Sequence, residues 1–394
     1  MSTEACMTAD PGVAANRVVD LPGGQLTVTA RPGPWSLDAL CGFAARNNPK
    51  RAFLFVSRVL GRHVPVAPAV MRATYRALAA AIPTDLPGPV AVVGMAETAV
   101  ALSTGVFAEW RAVTGRDDAV FVHSTRYALP QPRAAEFRED HSHAADHIVY
   151  RPTAALAADR LHSARSLVLI DDEMTSGRTF ANLRTGLAVA CPAVERAVGV
   201  VLTDWGGAAG AQVAGMPVVS LLAGSYRLDP DPNYVPGTPP KVVGDGAEKP
   251  FLVRNDGRLG ITAPPDLGDV GRAAVCALPI RPGQTALVLG TGEFVYPPFL
   301  VGEALAARGV PVRCQATTRS PVLPGHAITH VRIFTDNYGD GIANFLYNVP
   351  PGTYDHVVVC TETPDPPVGL IRQFDAEGQA VTVLPMGLMA EARP

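Results

Sequence analysis

A chain of 394 residues with 47% hydrophobic content is long enough for two or three domains with ample core, which excludes a disordered protein. The formal net charge of −3 leaves no general field for nucleic acid or an anionic membrane, so any anion site must be local. Six cysteines, Cys6, Cys41, Cys191, Cys276, Cys314 and Cys360, are scattered without a C-x-x-C pair, which argues against a zinc site and a disulfide framework and fits a reducing cytoplasm.

Glu4, Asp10 and Arg17 stand where a secretory signal needs an unbroken apolar region, so no export signal is expected. Residues 1–16 lack periodicity and read as a mobile tail. Alternation at Leu26, Val28 and Ala30 behind a Pro-Gly-Gly turn predicts an edge strand or hairpin over 17–30. Ser36 is placed to cap a helix running through Leu37, Leu40 and Phe43 to Arg46. The apolar segment Ala52 to Val56 leads into a cationic cluster, Arg58, Arg62 and His63, which as a bare pattern reads as a solvated face.

The pattern predicts a helix over Val70 to Ile82, a buried strand over Val90 to Val93, and a small-residue turn, Gly94 to Thr98, into a helix reaching Thr114. The next strand, Ala119 to His123, ends in Ser124-Thr125-Arg126-Tyr127. Arg126 there suits either a bidentate anion contact or a surface ion pair. Leu129 to Pro152 is polar and histidine-rich. His141, His143 and His147 invite a metal reading but have no carboxylate or cysteine partner at fixed spacing, and a mobile lid is the better assignment.

Ser166 to Thr179 carries the strongest signal. The apolar run Leu167 to Ile170 suits a buried parallel strand and stops at two carboxylates, Asp171 and Asp172. Thr175, Ser176, Gly177, Arg178 and Thr179 then lead into a helix from Phe180 to about Val189, so backbone N–H groups converge on an anion beside an acidic pair. A βα turn with an acidic tip and a hydroxyl cap has the same local pattern. Strands at Arg196 to Thr203 and Val218 to Leu222 complete a right-handed, doubly wound parallel sheet whose ligand edge is at the strand C-termini. The uncharged stretch Trp205 to Tyr226 holds five glycines, Gln212 and Pro217, and reads as loop plus strand, not as a membrane span.

Residues 227–272 are rich in proline, glycine and aspartate and read as a linker, with a hairpin in Phe251 to Ile261 about Asn255-Asp256-Gly257. A second unit, 273–394, shows a strand at Thr285 to Leu289, a Gly290-Thr291-Gly292-Glu293 turn, a helix at Phe299 to Arg308, and strands at Val312 to Ala316 and His356 to Cys360. That pattern is a smaller Rossmann-like α/β unit, and its Gly-Thr-Gly lacks the third glycine of a dinucleotide fingerprint. Arg319, Ser320, Asp336, Asn337, Tyr338 and Asp340 lie in loops that suit either a second site or ordinary turn chemistry.

Asp171 to Thr179 resembles the signature of type I phosphoribosyltransferases, which bind 5-phosphoribosyl diphosphate (PRPP) with a strand, two acidic residues and a Thr-x-Gly-x-Thr type loop. Thr318-Arg319-Ser320-Pro321, with Gly290 to Phe294, Ser57 to His63 and Glu139 to His143, resembles the fused transferase and TRSP pair associated with tellurium-resistance and stress-response gene clusters. The resemblance implies a transferase domain over 17–226 and a TRSP domain over 273–394. It assigns Asp171 and Asp172 to the ribose hydroxyls and to magnesium, and Thr175 to Thr179 to the terminal phosphate. Ala96, Glu97, Thr98 and Arg126 fall to diphosphate, with Arg58, Arg62 and His63 as a clamp and His141 and His143 on a closing lid. Oxopurine-specific members carry an aspartate where this chain has Thr175, so an orotate-like or other non-oxopurine heterocycle is the expected acceptor. Expected partners are PRPP, the acceptor, a second copy in a homodimer and other proteins of the same cluster, with no nucleic acid and no membrane. A PRPP-sensing regulator or an assembly subunit without chemistry is the competing reading.

Overall fold

The computed structural model describes residues 14–48, 51–137, 147–238, 240, 242, 244 and 246–387. The chain opens with a hairpin of β1 (Ala15–Leu21) and β2 (Gly24–Ala30). A four-residue helix α1 (Leu37–Leu40), capped by Ser36 Oγ on Ala39 N at 3.2 Å, gives way to β3 (Cys41–Ala45), which pairs antiparallel with β4 (Phe53–Ser57). The expected helix to Arg46 is thus one turn only. Cys41 to Ala45 is buried along its whole length, and pairing with β4 satisfies its backbone between two packed faces.

Then follow α2 (Pro68–Ala81), β5 (Val90–Gly94), α3 (Val100–Thr114), β6 (Ala119–His123), the antiparallel pair β7 (Arg133–Phe137) and β8 (His147–Tyr150), and α4 (Ala155–His162). After them come β9 (Ser166–Met174), α5 (Arg178–Leu187), β10 (Arg196–Asp204), α6 (Gly207–Ala214) and β11 (Val218–Pro230). The main sheet runs β1-β2-β11-β10-β9-β5-β6, parallel from β11 to β6 and antiparallel at the β1-β2-β11 edge. Its central strands are continuous apolar runs because helices cover both faces. β11 is longer than the sequence pattern suggests. Its second half leaves β10 and pairs with β2 from Gly224↔Ala30 to Pro230↔Gly24, so Arg227 to Pro230 belong to the sheet.

The second half contains α7 (Gly268–Ala277), β12 (Ala286–Gly290), α8 (Tyr296–Ala307), β13 (Val312–Ala316), β14 (Val331–Thr335), β15 (Ala343–Tyr347), β16 (His356–Thr361), α9 (Val368–Ala376) and β17 (Ala380–Pro385). A four-stranded parallel sheet has the order β13-β12-β16-β17. The expected hairpin in Phe251 to Ile261 does not form. Asn255 Oδ1 instead accepts from Gly257 N (3.1 Å) and Leu259 N (3.0 Å), making a local turn, and Ile261 pairs with Phe121 of β6. Asp336 likewise is a turn organiser between β14 and β15, accepting from the N–H groups of Tyr338, Asp340 and Ile342 at 2.8–3.1 Å.

One apolar core crosses from the first sheet into the second: Tyr75 of α2 meets Phe299 of α8 at 5.4 Å between ring centroids, both fully buried. Arg72 of α2 adds ion pairs to Glu109 of α3 and Glu303 of α8. Fully burying aromatics of this size contributes about 2–3 kcal/mol each, so the two sheets are held as neighbours by their core as well as by their connecting chain.

Candidate active site

The register of the first sheet builds the site. The ladder between β5 and β9 ends at Gly94↔Ile170, whereas the ladder between β10 and β9 continues to Asp204↔Met174. Asp171, Asp172 and Glu173 are therefore held in the strand on the β10 side, inside β9 and not beyond its end. All three line a cavity of about 240 Å³. Glu173 is the carboxylate that sequence reading passed over, although an i, i+2 spacing in a strand places it on the face of Asp171. Burial and the neighbouring Glu173 push the Asp172 carboxyl up to about 6, with Asp171 and Arg51 acting in the opposite direction. Glu173 is paired at 2.6 Å with Arg51, whose guanidinium lies over the rings of Phe53 and Phe55.

The loop after β9 wraps the start of α5. Gly177 is its N-cap at φ +77°, a left-handed conformation that costs glycine nothing, and a Cβ there would stand 2.1 Å from the Gly210 carbonyl oxygen. Gly206 makes a similar approach, with a would-be Cβ 2.0 Å from the Thr175 carbonyl oxygen. Asp204 Oδ1 accepts from Gly206 N and Gly207 N at 2.9 and 2.8 Å and fixes the partner loop. Thr175, Ser176, Gly177, Arg178 and Thr179 all line the cavity, at the positive end of the α5 dipole. The hairpin of β3 and β4 covers this cradle, with Phe55 stacked on Trp205 at 4.4 Å and edge-on to Tyr226 at 5.6 Å.

Ala96, Glu97 and Thr98 form the opposite wall with Arg126. Ser124 Oγ and Ala96 N are 2.8 Å apart, which ties this turn to the end of β6. Glu97 is surrounded by cations. Burial pushes its carboxyl up, but Arg62, Arg319 and Arg126 together hold it below the ordinary carboxylate value. Two of its partners belong to the loop after β13: Thr318 Oγ1 donates to Glu97 Oε1 at 3.0 Å and Arg319 Nε lies 3.3 Å from Oε2. Thr318, Arg319, Ser320 and Pro321 line the same cavity, and a second cavity, of about 20 Å³, is large enough for roughly one water.

The cationic cluster divides three ways. Arg58 is exposed, donates to the Cys41 carbonyl at 3.2 Å and does not line the cavity. Arg62 is buried beneath the wall and donates to the carbonyls of Gly292, Thr317 and Glu97, each at 2.7 Å, so it is a strut between the two sheets. His63 does line the cavity. Burial, with Arg62 and Arg46 nearby, lowers its imidazole to about 3, so the ring is neutral. Arg46, Arg51 and Phe55 also line the cavity, and sequence reading missed them because their apolar or cationic patterns match any β-hairpin, while Val242 joins them from the stretch read as a linker. His141 and His143 lie outside the described residues. His147 is in β8, stacked on Phe137 at 4.8 Å with its Nδ1 3.0 Å from Ser124 Oγ. Glu293 is wholly buried and accepts from Arg126 N at 2.7 Å and Thr125 Oγ1 at 2.5 Å. Asp340 is paired with the buried Lys249 at 2.6 Å, away from the cavity.

Among the described residues no three histidine, cysteine, aspartate or glutamate side chains converge as a ready metal site, and no helix is long and apolar enough to cross a membrane. No curated protein sequence matches the chain. Among solved structures it is similar to adenine phosphoribosyltransferase from Trypanosoma brucei in complex with AMP, pyrophosphate and ribose-5-phosphate (14% identity, 53% of this chain and 86% of that chain, TM-score 0.35). It is also similar to the adenine phosphoribosyltransferases from Rhodothermus marinus (16% identity, 48% and 96% covered, TM-score 0.32) and Leishmania donovani (16%, 48% and 78%, TM-score 0.31). Residues 40–219 match the family model described as phosphoribosyl transferase, and residues 256–372 match the TRSP domain that lies C-terminal to it. The chain is therefore a phosphoribosyltransferase fused to a C-terminal TRSP domain.

Proposed function

We propose that the protein transfers the 5-phosphoribosyl group of PRPP to a heterocyclic, non-oxopurine acceptor, releasing diphosphate and making a nucleotide-like metabolite. The observation that carries this reading is the single cavity in which an acidic strand edge, a glycine-built helix start and the turn Ala96–Thr98 face one another. In this assignment the N–H groups and hydroxyls of Thr175 to Thr179 hold the 5-phosphate, and Asp171 and Asp172 accept from the ribose hydroxyls. Ala96 to Thr98 and Arg126 receive the diphosphate.

Magnesium fits the acidic edge. Burial first, and then the neighbouring Glu173, raise the Asp172 carboxyl, a cost to the ionised form that a divalent cation offsets, and magnesium commonly takes only one or two carboxylates and completes its shell with substrate oxygens and water. When bound it neutralises charge on the departing diphosphate. The chain's own contribution is geometric: it holds the ribose between the β9 carboxylates and the α5 N-terminus while the β3–β4 hairpin excludes water from above. Thr175 supplies no carboxylate toward a purine, which disfavours an oxopurine acceptor.

Diphosphate release from PRPP with magnesium, measured across pyrimidines, purines, orotate-like acids and small heterocycles, tests the reading. One acceptor should support release, and Asp172→Asn should lower the rate on the order of a hundredfold. Tight PRPP binding with no acceptor-dependent release would instead support a sensor or assembly subunit.

A further inference from the structure

The turn Gly290 to Phe294 leaves the C-terminal end of β12, and the segment Thr317 to Pro321 leaves that of β13. They meet the turns that leave the C-terminal ends of β5 and β6. Open α/β sheets bind ligands at such edges, and here two of them face each other across one cavity. The contacts are specific. Thr318 and Arg319 grip the Glu97 carboxylate, Glu293 holds the Arg126 backbone and the Thr125 hydroxyl, and Gly292 and Thr317 offer carbonyls to Arg62, which also bonds the Glu97 carbonyl.

Glu97 sits in the very turn assigned to the diphosphate. An ionised carboxylate there repels a polyanion unless cations offset it, and in a partly buried wall that repulsion is poorly screened. Arg319, 7% exposed and lying over the Tyr127 ring at 5.2 Å, is one of the cations that does so.

We propose that the TRSP unit is an integral half of the transferase site: Arg319 and Thr318 are positioning residues that neutralise and orient Glu97 so that the turn Ala96–Thr98 accepts diphosphate, while Glu293 fixes the Arg126 turn. This rests on the PRPP reading. It differs from a TRSP unit that binds or processes the product at a site of its own.

The test uses the full chain. Calorimetric binding of PRPP and of inorganic diphosphate, each with magnesium, is compared for wild type, Arg319→Gln, Glu97→Gln and the double variant, with KM and kcat measured in parallel. Arg319→Gln should weaken both ligands by about tenfold or more, because it leaves Glu97 under-compensated. Adding Glu97→Gln should restore most of that loss. A purely structural role for Arg319 would lower the active fraction and leave the KM of the remaining protein unchanged, with no rescue by Glu97→Gln. The inference is overturned if wild type binds PRPP and Arg319→Gln binds it equally, or if the double variant binds no better than Arg319→Gln. Should Arg319→Gln fail to fold by thermal unfolding, Thr318→Val takes its place with the same expectation: weaker binding, rescued by Glu97→Gln. A wild-type chain that binds neither ligand overturns the PRPP reading itself, and this inference with it.

Discussion

Gly177→Ala tests the proposal that the loop at the start of α5 holds the 5-phosphate. The residue has φ +77°, and an added Cβ would lie 2.1 Å from the Gly210 carbonyl oxygen and 3.0 Å from Ala214 N, where ordinary contact begins at 3.4 Å. Either the loop or the start of α6 must move by more than about 1 Å to accept the methyl group, and a misplacement of that size costs catalysis about a hundredfold. The left-handed conformation itself costs alanine about 1–2 kcal/mol. Gly115→Ala separates the two effects. Gly115 has φ +66° at the C-terminus of α3, with nothing within 4 Å of the added carbon. Urea unfolding should show about 1–2 kcal/mol lost in Gly115→Ala and a larger loss in Gly177→Ala, where the clash with Gly210 adds to the conformational cost, while kcat/KM for diphosphate release falls about a hundredfold only in Gly177→Ala. A Gly177→Ala protein with wild-type kcat/KM would refute the placement of the 5-phosphate at this loop.

One part of the pH dependence of stability follows from His123, which burial and the nearby Arg258 lower to about 3, with a further part from the similarly lowered His63. The unfolded chain takes up a proton near the ordinary histidine value of about 6.5 and the native state does not, so this group's contribution is lost as pH falls below about 6.5. Between pH 6.5 and 5 the loss is about 2 kcal/mol, and His123→Gln should flatten the acid slope of urea-derived stability by that amount. An unchanged slope would mean that His123 is protonated in the native state. Arg62→Met strips three carbonyls and Glu97 of a buried cation and should destabilise by about 3–5 kcal/mol in urea unfolding, whereas the exposed Arg58→Met should change stability by less than about 0.5 kcal/mol. Equal effects of the two would contradict the strut assignment.

The cradle was legible in the sequence because everything that builds it is local. Ser166 to Val189 reads as strand, acidic end, small-residue loop and helix from residues that are near neighbours in the chain, and the structure carries β9 on to Met174 and sets α5 over Arg178–Leu187, not Phe180 to about Val189. The helix α3 and the strand β6 end where their patterns end, at Thr114 and His123. Cys41 to Ala45 was misread because the apolar spacing of a buried edge hairpin and of a helix coincide over five residues. Asp336 has a turn role because Asx chemistry suits that loop, whatever its charge suggests.

Fold class, the strand carrying Asp171 and Asp172 and the small-residue loop that starts α5 were legible in the sequence alone, since backbone period, capping and glycine conformation act over a few residues. What became of Arg58, Arg62 and Arg319, three similar cations in the sequence, was decided only by tertiary structure. One is exposed at the surface, one ties three carbonyls together across a separation of up to 255 residues, and one reaches Glu97 from the far sheet. Which partner meets a side chain depends on how two sheets dock through a shared core, and that docking is a sum of long-range contacts that no local pattern records.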